Sequence, residues 1–132
     1  MNSSAIIATL TVFLSIASMC SAADKKQLEA ALAAVNANLK TSAGKQYDEL
    51  IGKEFPEKYW SEVRKCKQSL PGTSTDPFDM FLRLNADGKV QEVLIYPETR
   101  FASCIRDAVL VGKFTNPPHD TYWINIHVQI KQ

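Results

Sequence analysis

The chain has 132 residues and a mass of 14.7 kDa, which gives room for one domain of ordinary size and excludes a large multidomain enzyme. Lys and Arg number 15 against 14 Asp and Glu, so the net charge is +1 and offers no electrostatic basis for gripping nucleic acid or an anionic membrane surface. Hydrophobic residues at 45% and charged residues at 22% describe a folded globular chain, not a disordered one.

No charged side chain occurs in Met1–Ala23. The stretch Ala5–Ala17 is apolar apart from small hydroxyl residues. It leads through Ser18-Met19-Cys20-Ser21-Ala22-Ala23 into the charged Asp24-Lys25-Lys26. An apolar core, small residues and a polar start to the mature chain predict a secretory signal peptide, residues 1–23, cleaved after Ala22 or Ala23. No Lys or Arg precedes the apolar core, which is the one departure from the usual form. A membrane anchor is one alternative, but it needs about 20 consecutive apolar residues and this run is shorter. A lipoprotein acylated at Cys20 is the other, and Ala17-Ser18-Met19 is a poor match to the small tripeptide that precedes such a cysteine. Residues 24–132 are then a single domain, with no stable membrane insertion once the signal is removed.

Leu28, Ala31, Leu32, Val35 and Leu39 recur at helical spacing and predict a helix over 25–39, with Asp24 as its N-cap. Thr41-Ser42-Ala43-Gly44 breaks the pattern. Tyr47, Leu50 and Ile51 predict a further short helical stretch ended by Gly52. Pro56 suits the first turn of another helix, whose stripe is Tyr59, Val63, Cys66 and Leu70 and whose end is Pro71-Gly72. The period then changes. Phe78, Met80, Leu82 and Leu84 alternate with Asp79, Phe81 and Arg83, as in a half-buried strand. Asn85-Ala86-Asp87-Gly88 predicts a hairpin turn, and 89–96 the returning strand, stopped by Pro97. Phe101, Cys104, Ile105, Ala108 and Val109 mark a helix over 100–111. After Asn116-Pro117-Pro118, Tyr122, Ile124, Ile126, Val128 and Ile130 alternate with Trp123, Asn125, His127 and Gln129 as a final strand.

The order α, α, β, β, α, β predicts an α+β domain. The hairpin makes the first two strands antiparallel, and a right-handed crossover makes the third parallel to the second. The simplest sheet is three-stranded, antiparallel and ordered 2-1-3, with helices packed on one face.

Cysteines are an odd count of 3 until Cys20 leaves with the signal. Cys66 and Cys104 remain, and in an oxidising compartment such a pair is expected to form a disulfide between two helices. The loop it closes has about 39 residues, worth roughly 3–4 kcal/mol by chain entropy. Two buried free thiols, or a nucleophilic thiol, are the alternatives.

These residues resemble the TonB C-terminal-like domains, in particular the branch at the C-terminus of gliding-motility-type periplasmic proteins. The likeness covers about residues 56–132. It rests on Cys66, the strand 78–84, Asp87-Gly88-Lys89-Val90, Ser103-Cys104-Ile105, the segment from Phe114 to Pro117-Pro118, and the strand 122–130. The usual F-P-x-P is here Phe114-Thr115-Asn116-Pro117-Pro118, with the first proline displaced. The resemblance implies this fold and a periplasmic setting. It does not carry over energy transduction, because the anchor and Pro-rich spacer of TonB have no counterpart in this sequence.

Catalytic signatures are sparse. His119 and His127 are the only histidines. His119-Asp120 in a Pro-rich turn is the one base-and-acid pair, and it is too small a set for a zinc site. There is no P-loop, no G-x-G-x-x-G and no G-x-S-x-G. No cofactor or metal is expected. Phe81 and Trp123 point away from the apolar stripes of their strands, on adjacent strands of a 2-1-3 sheet. They predict an exposed aromatic patch for a partner, with Asn125 and His127 beside it. Cover by the N-terminal helix is the alternative. The final strand, at the sheet edge, carries little charge and can accept a partner's strand.

The expected function is a small exported non-enzymatic module that binds a protein or peptide by its sheet edge or aromatic face. An inhibitor or immunity protein against a secreted toxin belongs to this class. A self-associating envelope component and a hydrolase using His119 are the other readings.

Overall fold

The computed structural model describes residues 24–131; the expected signal segment, residues 1–23 with Cys20, lies outside the described residues, as does Gln132. The elements are α1 (Lys25–Leu39), α2 (Ser42–Ser69), β1 (Phe78–Leu84), β2 (Val90–Tyr96), α3 (Arg100–Leu110) and β3 (Tyr122–Val128). The strands form one antiparallel sheet in the order β2-β1-β3, an α+β architecture with the predicted topology.

Asp24 begins α1 with a capping box: its carboxylate accepts from Gln27 N, and the Gln27 side chain accepts from Asp24 N. Thr41 caps α2 through Oγ1, which accepts from Gly44 N at 2.9 Å. The elbow between the two helices is tight enough that a Cβ at Gly44 would overlap the Asn38 carbonyl.

The predicted break at Gly52 and restart at Pro56 are corrected: α2 runs unbroken through both. The reason is its stripe. Tyr47, Ile51, Phe55, Tyr59, Val63 and Cys66 are all buried and share one face along the whole helix. An internal proline costs about 3 kcal/mol. Each large apolar side chain on the stripe contributes roughly 1.5–3 kcal/mol when buried, so continuity wins. Gly52 lies on the exposed side of the helix, where a Cβ would meet open space.

Beneath α2 and α3 lies the main core. Met80, Leu82 and Leu84 of β1, Val93 and Ile95 of β2, and Ile124, Ile126 and Val128 of β3 meet the α2 stripe and Phe101, Ile105 and Val109 of α3. Cys66 and Cys104 are joined as a disulfide, with Cα atoms 5.9 Å apart, fastening the last turns of α2 to α3.

α1 takes the other side of the sheet. Ala31 and Val35 pack with Phe81 and Leu94, and Leu28, Leu39 and Trp123 lie at the margin of that cluster. The expectation that helices cover one face alone is corrected for α1. A central strand with apolar residues on both faces needs two covering layers, and α1 supplies the second.

The β1–β2 turn is held by Asn85. Its Oδ1 accepts from Asp87 N and Lys89 N, at 3.0 and 2.9 Å, and its carbonyl accepts from Gly88 N at 2.9 Å. Gly88 sits at φ 82°, where a Cβ would overlap the Phe114 carbonyl oxygen.

Candidate functional site

The two edges of the sheet are treated differently. At β2, the strap 112–115 closes the start of the edge: Val90 N donates to Gly112 O at 3.1 Å and Phe114 N to Gly88 O at 2.9 Å. α2 clamps that strap. Tyr47 OH donates to Thr115 O at 2.6 Å, Thr115 N to Glu54 Oε1 at 2.9 Å, and Lys58 Nζ to Lys113 O at 2.7 Å. Lys58 also pairs with Glu54 at 2.8 Å. Burial by itself raises the Glu54 carboxyl, but the hydrogen bonds from Lys58 and Thr115 and the Lys58 charge outweigh it and hold the group below its ordinary value. Burial, with the Glu54 charge and Tyr122 adding to it, pushes the Tyr47 phenol well above the usual range.

At β3, one contact closes one point. Asn38 Nδ2 donates to Trp123 O at 3.1 Å, so that carbonyl points away from β1. By the two-residue alternation of an antiparallel ladder, the backbone N–H and C=O of Asn125 and His127 point outward as well. Among the described residues, no hydrogen bond from another element reaches those groups. Beside them runs a groove of about 250 Å³ between β3 and α2, lined by Ile51, Gly52, Phe55, Pro56 and Ile126, with Asp48 and His127 at its mouth. Burial first, and then the Asp48 carboxylate, raise the nearby Tyr122 phenol. An open strand edge next to a groove of mixed polar and apolar lining can take an extended polypeptide, which supplies backbone pairing to the edge and a side chain to the groove.

The aromatic patch is corrected. Phe81 is only 7% exposed, because α1 lies over it, and Trp123 is partly buried against the same cluster. Asn125 is half-buried, and its Oδ1 has no hydrogen-bond partner. His127 is exposed, with Nδ1 3.1 Å from Asp79 Oδ1 across the β1–β3 pair. Of the four predicted partner-binding residues, His127 is exposed and Asn125 half-buried at the edge, Trp123 lies at the margin of the α1 cluster, and Phe81 serves the core.

His119 and Asp120 do not form a side-chain pair. His119 Nδ1 lies 2.8 Å from the Asp120 backbone oxygen, and its ring packs edge-on against Tyr122. The Asp120 carboxylate instead accepts from Ala86 N at 2.8 Å, tying the Pro-rich loop to the hairpin. Cys104 is engaged in the disulfide. Among the described residues no group of three or more His, Cys, Asp and Glu is placed to hold a metal ion, and no helix is long and apolar enough to cross a membrane.

Sequence reading missed Asn38, Glu54 and Asp120, whose side chains hold backbone groups 85, 61 and 34 positions away. Only Asp120 drew attention there, and for a different role. No family model matches the chain, and no curated protein or solved structure is significantly similar to it.

Proposed function

We propose that the chain is a small exported, non-enzymatic protein-binding module of the bacterial cell envelope, which takes up an extended segment of a protein or peptide partner along the free edge of β3. The single observation that supports this reading is the state of the β3 edge, where the outward backbone groups of Asn125 and His127 stand open beside a groove against α2, while the strap 112–115 covers only the start of β2. Long unguarded edges invite pairing, and this one has no Lys, Pro or bulge across 122–128 to deter it. The Cys66–Cys104 bridge supports an oxidising compartment, and with it export through the apolar segment 1–23. The likeness to TonB C-terminal-like domains over 56–132 supports the envelope setting.

The test is chemical cross-linking of the purified mature chain in envelope extract, followed by mass identification, beside a His127→Pro variant. Proline at 127 removes one outward N–H and leaves the bonds to β1 in place. A discrete cross-linked partner that His127→Pro loses is the expected result. Absence of any cross-linked species from the wild-type sample overturns the reading, and a species of twice the chain's mass replaces the partner with a second copy.

A further inference from the structure

α1 lies over β3 and β1 and leaves the β2 side of that face open. The result is a cleft of about 750 Å³, with Phe81 as its floor, Leu28 and Leu32 as one wall, and Tyr96 and Pro97 as the other. Its size falls within the range of roughly 300–1,000 Å³ typical of ligand clefts. The walls leave large apolar surface in water: Leu32 is 44% and Tyr96 61% exposed. The polar lining is Lys25, Glu29, Asp79, Glu98 and Asn125. Three carboxylates thus stand against the Lys25 ammonium and the Arg106 guanidinium that pairs with Glu98, an excess of one negative charge. Lys25 pairs with Glu29 Oε1 at 3.8 Å, Arg106 with Glu98 Oε1 at 3.5 Å, and His127 with Asp79 Oδ1 at 3.1 Å. The Asn125 Oδ1 is buried without a partner. The cleft is therefore apolar at its base, rich in acceptors and biased to negative charge.

We propose that this cleft is a second binding site, taking a polypeptide segment that combines apolar side chains with a lysine or arginine. The apolar side chains cover Phe81, Leu32 and Tyr96. The cationic head adds a charged donor to the Asp79 and Glu98 carboxylates, beside the His127 and Arg106 partners they already have, and a charged donor makes the stronger hydrogen bonds. The site does not use the β3 edge: that groove lies on the α2 side of the sheet and this cleft on the α1 side, with Asn125 bordering both.

The experiment pans a phage-displayed random peptide library against the mature chain. The enriched peptides are then synthesised and titrated against Leu32→Arg, Leu32→Glu, an Asp79→Asn/Glu98→Gln double variant and His127→Pro, each first checked for its thermal unfolding midpoint. Leu32 lies outside the buried cores, so its variants keep the fold. The expected peptides carry Lys or Arg among apolar residues. Their Kd rises about tenfold or more with Leu32→Arg and with the double variant, rises far less with Leu32→Glu, and stays within about threefold with His127→Pro. Failure to enrich any peptide, enrichment of acidic peptides, or equal binding by Leu32→Arg and Leu32→Glu overturns the proposal. Peptides lost with His127→Pro alone overturn it too, while leaving strand addition at β3 standing.

Discussion

Opening the Cys66–Cys104 bridge is the perturbation whose size the fold fixes most directly. The two cysteines are separated by 38 positions in sequence. In the chain-entropy relation, a closed loop of about 39 residues removes roughly 13 cal/mol/K from the unfolded ensemble, about 4 kcal/mol at 25 °C. For a domain whose total stability lies in the range of about 5–15 kcal/mol, this is a large share. A Cys66→Ala/Cys104→Ala double variant should therefore melt about 15 °C below the wild type, at about 4 °C per kcal/mol for a chain of this length. Urea unfolding followed by circular dichroism adds a second readout. If the bridge acts on the unfolded state, its loss lets that state expand and the m-value rises. If the loss is only one of packing around the buried Cys66, stability falls with m unchanged. A midpoint within a few degrees of the wild type would refute the reasoning.

Phe81→Ala should cost about 3–5 kcal/mol, because the ring is sandwiched between the sheet and α1; a loss under about 0.5 kcal/mol, typical of a surface site, would return Phe81 to the exposed patch that its strand position predicts. Gly88→Ala should lose about 2 kcal/mol in the same denaturation assay, since φ 82° strains any other residue and its Cβ would displace the Phe114 carbonyl. Glu54→Gln tests the clamp on the strap. The wild-type carboxyl is held below 4.5, so its contribution is present above that pH and lost as pH falls through the lowered folded value. The variant should be less stable by about 1–2 kcal/mol at pH 7 and show a flatter decline on acidification; parallel stability-against-pH curves would contradict the role given to Glu54.

What could be read in advance followed from local chemistry. Asp87-Gly88 named its own turn, and the alternation in 122–128 named its strand, because both signals lie within a few residues. The continuity of α2 was not legible from Gly52 and Pro56, which argue locally for a break. It required seeing that Tyr47 and Ile51 belong to the same stripe as Phe55 and Tyr59, all buried against one core. Phe81 was misplaced because the alternation in β1 says which way a ring points and not what lies over it. The adjacent apolar run Val93-Leu94-Ile95 in β2, buried on both faces, was the available sign of a second layer. The strap over the start of β2 had no sequence signal. It depends on Glu54 and Tyr47 reaching Thr115, contacts that exist only once α2 has packed. The edge at Asn125 and His127 becomes a candidate site only once α2 has packed to form the groove beside it.

The central claim is that the outward side of β3 is held by another polypeptide in the living cell. Photo-cross-linking from position 127 in intact producing cells tests it most directly, with position 65 on the exposed side of α2 as the control. The account predicts one discrete adduct from position 127 and none from position 65. Equal labelling from both positions, or none from position 127, would contradict it.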